Sequence, residues 1–290
     1  MSDLRELEAR IDALAAVPAG DALPGDAAAA VEELLSSLER GSVRAARHDG
    51  DTWRAVPWVK RGILLAFRTG DIVPLAGPGA AAPRDDGEGG WAFLDKHTLP
   101  VRTFRPEDRV RVVPGGSSIR RGAYIAPGVV CMPPMFVNVG AWVGAGTMID
   151  SHALVGSCAQ VGERVHLSAA AQVGGVLEPV NAAPVVIEDE VVVGGNAGVY
   201  EGTIVRRRAV LGAGVVLTRG TPLFDLVHET VHRAGDGPLV VPEGAVVVAG
   251  ARAARSEWAS GQGLSLYTPV IVKYRDEKTD LATVLEEWLR

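Results

Sequence analysis

A chain of 290 residues with 47% hydrophobic content has enough apolar side chains for one large core or two to three modest ones. Its formal net charge of -6 argues against a nucleic-acid surface as its main business. No apolar run approaches the roughly 20 residues of a membrane span, and the charged, helical start MSDLRELEARIDAL has no signal-peptide h-region, so a soluble, cytoplasmic protein is expected.

In chain order, Leu4, Leu7, Ile11 and Leu14 mark an amphipathic helix over 2–16, ended by Val17-Pro18-Ala19-Gly20. Asp26 opens a second helix through Val31, Leu34, Leu35 and Leu38, which Gly41 terminates. A third is expected from Trp53 to Arg68, with Pro57 near its first turn. The Gly/Pro/Ala/Asp-rich segment from Ala76 to Gly90 reads as a loop or linker. An extended piece with Trp91, Phe93 and Phe104 leads to Arg109–Pro114.

From Ile119 a six-residue beat begins. Small apolar residues fall at Ile119, Ile125, Cys131, Val137, Val143, Ile149, Val155, Val161, Leu167 and Val173. A second series, offset by two extra residues, runs Ile187, Val193, Val199, Val205, Leu211, Leu217 and Leu223. This is a hexapeptide-repeat solenoid, with three hexads per triangular coil and coils stacked about 4.8 Å apart. Glycine at 35 residues and aromatics at only 5% suit its tight corners and narrow interior. Two interruptions, Glu178–Pro184 and Phe224–Leu239, read as ejected loops bordering a binding site. If only two surplus residues bulge out, Asp150, Ser168, Glu188 and Arg206 stack along one edge. Val241 and Val247 restore the beat, Leu264–Lys273 reads as a strand or hairpin, and Asp280–Trp288 as a short helix. Cys131 and Cys158 belong to no CxxC or Cys/His cluster, so no metal site is indicated, and both read as small core residues. The apolar outer faces call for a cover, which a trimer about a threefold axis supplies most economically.

Particular strings narrow the field. ValGlySerCysAlaGlnValGly (155–162), ValHisLeuSer (165–168), GlyGlyValLeuGluPro (174–179) and SerLeuTyr…ValIleValLys (265–273) closely resemble the tetrahydrodipicolinate N-succinyltransferases of lysine and diaminopimelate biosynthesis. GlyThrMetIleAsp (146–150), ArgValValPro (111–114) and TrpValLysArgGlyIleLeuLeuAlaPheArg (58–68) fit the same pattern, so the resemblance covers practically the whole chain. It implies a mainly β fold: a left-handed parallel β-helix over 111–252, between an N-terminal helical domain (1–110) and a small C-terminal strand-and-helix domain (253–290). That hand opposes the usual right-handed crossover. It also implies a homotrimer with active sites between subunits, and transfer of succinyl from succinyl-CoA to the amine of hydrated tetrahydrodipicolinate, with CoA as co-substrate and no metal. A paralogue using acetyl-CoA or a related amino diacid, and a non-catalytic binding or scaffold solenoid, are the alternatives.

Acylating an amine requires a neutral nitrogen, a proton acceptor and a donor for the thioester oxyanion. By the resemblance Arg111 binds a substrate carboxylate, and Asp150 holds the amine and takes part in proton transfer. Without the family, Arg111 is one arginine in an Arg-rich stretch and Asp150 a corner residue. Where the family commonly reads Gly-Ala-Arg-Ser-Glu-Val-Val-Glu-Gly, this chain reads Gly194-Gly195-Asn196-Ala197-Gly198-Val199-Tyr200-Glu201-Gly202. The first acid, a proposed partner of the aspartate, is replaced by Gly198, and the second is kept as Glu201. Three extended residues span roughly 10 Å, so Glu201 does not stand in for a side chain rooted at 198. Gly175, with Gly174, allows close backbone approach to the thioester or pantetheine arm, and Gly212, Gly214 and Lys273 are candidates for the CoA slot. His152, two residues from Asp150, is an alternative base, and His166 reads as structural. His48, His97, His228 and His232 show no partner spacing.

Overall fold

The computed structural model describes residues 2–50, 52–75 and 93–276; the expected linker over 76–90, Trp91 and the expected helix over 280–288 lie outside them. Three helices, α1 (Ser2–Ala15), α2 (Ala27–Glu39) and α3 (Pro57–Thr69), pack Leu7, Ile11, Leu34, Leu35, Val59 and Ile63 into one cluster. Gly62 is where α2 and α3 touch, since a Cβ there would lie 2.2 Å from Leu34 Cδ2. The third helix starts later than expected. Thr52–Ala55 is a strand paired with Ala46–Asp49, and helix begins only at Pro57, whose missing N–H costs nothing at a first turn. The same cluster buries Val139 and Cys158, corner residues of the solenoid, and so docks the helices onto it.

The solenoid is built as the beat dictates. Each hexad yields a two-residue strand whose second residue points inward: Ser118–Ile119, Tyr124–Ile125, Val130–Cys131 and onward. The strands form three parallel faces. Face I carries Ile119, Val137, Val155, Val173, Val199 and Leu217. Face II carries Ile125, Val143, Val161, Ile187, Val205 and Val241. Face III runs from Val112 through Cys131, Ile149, Leu167, Val193 and Leu211 to Val247. Most of these inward residues are fully buried, each contributing about 1.5–3 kcal/mol of apolar burial. The chain turns between faces with the third residue after the aliphatic in the left-handed region, as at Gly146 (φ 68°), His152 (φ 63°) and Cys158 (φ 63°). His152 is therefore a corner residue.

The first interruption is larger than two residues. Val173 lies on face I and the next beat residue, Ile187, on face II, so a full hexad plus two residues is ejected between them. That moves every later residue onto a different face from the one expected. Asp150, Ser168, Gly194 and Gly212 share the edge between faces III and I, whereas Gly162, Glu188 and Arg206 share the edge between II and III. The expected Asp150–Ser168–Glu188–Arg206 column does not exist. The loop is held by Lys60 of α3, a fully buried lysine whose Nζ donates to Ala182 O at 2.6 Å.

At the second interruption Leu223 leaves the series. Leu223–Asp225 forms a hairpin with Thr230–His232 and pairs with Ser265–Tyr274, which itself pairs antiparallel with Ala245–Ala253. Ala245–Ala253 continues face III, so the C-terminal strands extend that face and add Ile271 to the solenoid core.

Candidate functional site

The residues singled out from sequence fall into two groups on opposite borders of face I. The first group belongs to face III and its edge with face I. Arg111 occupies an outward position in the first strand of face III, two rungs from Met148, roughly 10 Å along the solenoid axis. Asp150 follows Ile149 at the edge and is half-buried. Its Oδ1 accepts the Ser151 N–H at 2.7 Å, and among the described residues Oδ2 has no hydrogen-bond partner. Gly212 stands three rungs further along the same edge, about 14 Å away, with Gly214 (φ 72°) at the turn that follows. Lys273 pairs with Val246 beside face III and points its Nζ toward Asp276 at 3.3 Å. One continuous strip thus carries a guanidinium, a carboxylate with an open oxygen, two glycines and an ammonium.

The second group lies on the edge between faces I and II. Gly174, Gly175, Tyr200 and Glu201 line a cleft of about 1190 Å³, walled by both ejected loops (Glu178, Asp236) and by Trp53 of the N-terminal hairpin. Gly175 is packed hard against the preceding coil, where a Cβ would lie 2.5 Å from Ser157 N. Glu201 (φ 54°) and Gly202 (φ 73°) both take left-handed backbone, so this corner differs from the others. Glu201 Oε2 accepts the Arg219 N–H at 2.9 Å. Within one chain Glu201 and Asp150 therefore sit on different edges and do not meet.

Tyr200 escaped the sequence reading. Its ring lies over the outside of face I, covering Gly174 and Gly198 on adjacent rungs. A Cβ at Gly198 would stand 2.5 Å from Tyr200 Cε2 and 2.8 Å from its hydroxyl oxygen, and one at Gly174 would stand 2.7 Å from Cδ1. The signal was present as a glycine two positions before a large aromatic, since residues i and i+2 share a strand face. The phenol fills the space where a side chain at 198 would project.

The histidines also need correcting. His228 and His232 share a partner, the buried Asp225. Its Oδ2 receives Tyr274 OH at 2.7 Å and faces His228 Nδ1 at 2.9 Å and His232 Nε2 at 3.5 Å, while Oδ1 accepts the N–H groups of Val227 and His228. Burial pushes the Asp225 carboxyl up, but the hydrogen bonds from Tyr274, from the His228 side chain and from the two backbone amides outweigh it and hold it well below the usual range. Burial, with the Asp225 carboxylate beside it, raises Tyr274 to about 12. This cluster pins the hairpin whose exposed Leu226, Val227 and Val231 project from the C-terminal end. Cys131 and Cys158 are both buried, and burial raises each thiol to about 12. Among the described residues no three His, Cys, Asp or Glu side chains converge as a metal site.

Comparison with known proteins bears on the whole chain. Residues 6–69 match the family model for the N-terminal part of tetrahydrodipicolinate N-succinyltransferase, and residues 184–219 match that for the hexapeptide repeat of succinyl-transferase. A 2,3,4,5-tetrahydropyridine-2,6-dicarboxylate N-succinyltransferase of Afipia carboxidovorans is 40% identical, over 93% of this chain and 92% of that one. The enzyme of the same name from Methylorubrum extorquens is 39% identical over 98% of each. Among solved structures, a Campylobacter jejuni protein described as a 2,3,4,5-tetrahydropyridine-2-carboxylate N-succinyltransferase shares the fold, with a TM-score of 0.56 at 17% identity, over 88% of this chain and 64% of that one. A likeness at this level of identity that runs through helices, solenoid and C-terminal strands alike is one of common descent, and the chain belongs to the tetrahydrodipicolinate N-succinyltransferase family of acyltransferases.

Proposed function

We propose that the chain transfers succinyl from succinyl-CoA to the amine of hydrated, ring-opened tetrahydrodipicolinate, a step of lysine and diaminopimelate biosynthesis. The observation that carries the reading is Asp150, a carboxylate with one uncommitted oxygen on the edge of face III, two rungs from a guanidinium on the same face. Arg111 binds one carboxylate of the acceptor through its two-pronged donor fork. Asp150 Oδ2 receives the amine N–H, orients the nitrogen lone pair and takes its proton. The nitrogen attacks the thioester carbonyl, the C–N bond forms, the C–S bond breaks, and the proton passes to the departing thiolate, leaving amide and CoA. The pantetheine arm extends along the edge past Ser168 and Gly194 to Gly212 and Gly214, of which Gly214 has open space where a side chain would stand, and Lys273 meets an anionic part of the CoA.

The strip is open in a single chain, and excluding water from it requires a cover. A homotrimer supplies one. The edge between faces I and II, with Gly175, Tyr200 and Glu201, then closes on the Asp150 edge of the neighbouring subunit. The outward residues Met148, Val192 and Val210 of face III and the hairpin tip Leu226–Val227 are apolar, which supports burial against another copy.

The test is free-thiol release from succinyl-CoA or acetyl-CoA in the presence of tetrahydrodipicolinate, with sedimentation of the same protein. Succinyl-dependent release by a trimer is expected. Release with acetyl-CoA alone would transfer the reading to an acetylating paralogue, release with neither donor would end the enzymatic reading, and an active monomer would remove the inter-subunit site.

A further inference from the structure

The outside of face II carries a cavity of about 430 Å³ that shares only Trp53 with the cleft around Tyr200 and Glu201 and contains none of the residues assigned to the transfer. Its floor is aromatic: Tyr124 and Trp142 stack with centroids 3.9 Å apart at 25°. The Arg44 guanidinium lies 3.9 Å over the Trp142 ring and 5.2 Å from Trp53. Gln160, itself almost fully buried and donating to Cys158 O and Ala159 O, fixes Arg44 by accepting from its Nε at 3.0 Å. Among the described residues the two Nη groups have no hydrogen-bond partner and Arg44 makes no ion pair.

The anions around the cavity differ in how far they are committed. Glu188 is engaged at both oxygens, receiving Arg206 Nη1 at 2.8 Å, the Trp53 indole N–H at 3.1 Å and the Arg207 N–H at 3.0 Å. Asp189 uses Oδ1 for the Glu163 N–H at 2.8 Å, and its Oδ2 has no hydrogen-bond partner among the described residues. The Nη fork of Arg44 and the Oδ2 of Asp189 thus line the same cavity without a hydrogen-bond partner among the described residues and too far apart to pair with each other. Burial pulls Arg44 down to about 10 even though the field of Asp189 opposes it, so the guanidinium bears a desolvation cost that no ion pair among the described residues offsets.

We infer that this cavity is a binding site for a zwitterionic α-amino acid with an unbranched aliphatic side chain. The Nη fork of Arg44 takes the carboxylate, Asp189 takes the ammonium, and the edges of the Tyr124 and Trp142 rings with Ala126, Pro127 and Val186 take the hydrocarbon chain.

Isothermal titration of the full-length protein tests the assignment with L-norleucine, hexanoate and pentylamine, the last two being norleucine without its ammonium and without its carboxylate. Norleucine binds saturably and each half-ligand at least about tenfold more weakly, while Arg44→Gln and Asp189→Asn each weaken norleucine by about tenfold or more. Because Arg44 packs in an aromatic stack, Asp189→Asn carries the test if Arg44→Gln does not fold; asparagine keeps the acceptor for the Glu163 amide. Norleucine binding no tighter than that of either half-ligand, or unchanged by Asp189→Asn, overturns the proposal.

Discussion

Restoring an acid at position 198 is the sharpest perturbation available, because the structure gives its outcome in advance. A Cβ at Gly198 meets Tyr200 at 2.5, 2.8 and 2.9 Å, distances that force the ring to move. The same ring also covers Gly174, where a Cβ would stand 2.7 Å from Cδ1. Overpacking of this kind costs about 1–3 kcal/mol, while replacing a strand glycine returns roughly 0.5–1 kcal/mol of backbone entropy. Gly198→Glu alone is therefore destabilising by about 1–2 kcal/mol and gives no gain in turnover, since the new carboxylate and the phenol compete for one space. In a Tyr200→Val background the collision disappears, and Gly198→Glu should then be neutral or slightly stabilising. The double-mutant cycle, read from urea denaturation, should give a coupling of about 1–3 kcal/mol, and any rise in thiol release should appear only in the double variant. A coupling within about 0.5 kcal/mol of zero, or a single Gly198→Glu variant as stable as the parent, would refute the steric argument.

Other outcomes follow from the same geometry. Asp150→Asn should keep the thermal midpoint and lower turnover by about 10²–10⁴-fold in thiol release; full activity would remove the residue from the mechanism. Asp225→Asn should cost about 2 kcal/mol near neutral pH, because it takes a charge from a hydrogen-bonded site. The folded carboxyl is held below its unfolded value of about 3.9, so this stability is present above that pH and is lost as pH falls toward the folded value. Thermal midpoints of parent and variant should converge in acid, and a constant difference from about pH 7 down to about pH 3 would contradict the assignment. Cys131 and Cys158 should resist a thiol reagent in the native state and react in urea, so that thiol release in the assay reports CoA alone; a rapid native reaction would show that one of them is not sealed.

What could be read from the sequence and what could not divide along a physical line. Every beat residue before the first interruption lies on the face that counting assigns, because a hexad fixes both the strand and the corner. Counting failed at Ile187, since the beat alone leaves undetermined how many whole hexads a loop absorbs; two surplus residues and eight look identical in a period of six. Asp150 and Arg111 kept the places that counting assigns because both lie before the loop, whereas Gly212, which lies after it, moved with its whole series to the edge between faces III and I. The Asp225 cluster was hidden because its members come from a hairpin and a strand 49 residues away. Tyr200 was hidden for another reason. Its role depends on the absence of a side chain at 198, two positions earlier, whose space the ring fills.

A stack of identical coils has one further property: it measures length in whole steps. The separation between Arg111, Asp150 and Gly212 is fixed by rungs of about 4.8 Å, and no side-chain adjustment alters it by a fraction. Deleting one complete coil between Asp150 and Gly212 would shorten that edge by a single rung and leave the corners in register, whereas deleting one or two residues would rotate everything downstream onto the wrong face. In the proposed site the spacing between acceptor and donor contacts is thereby quantised by the backbone, and graded tuning is left to the loops thrown out of the stack, which can change length without disturbing the ruler.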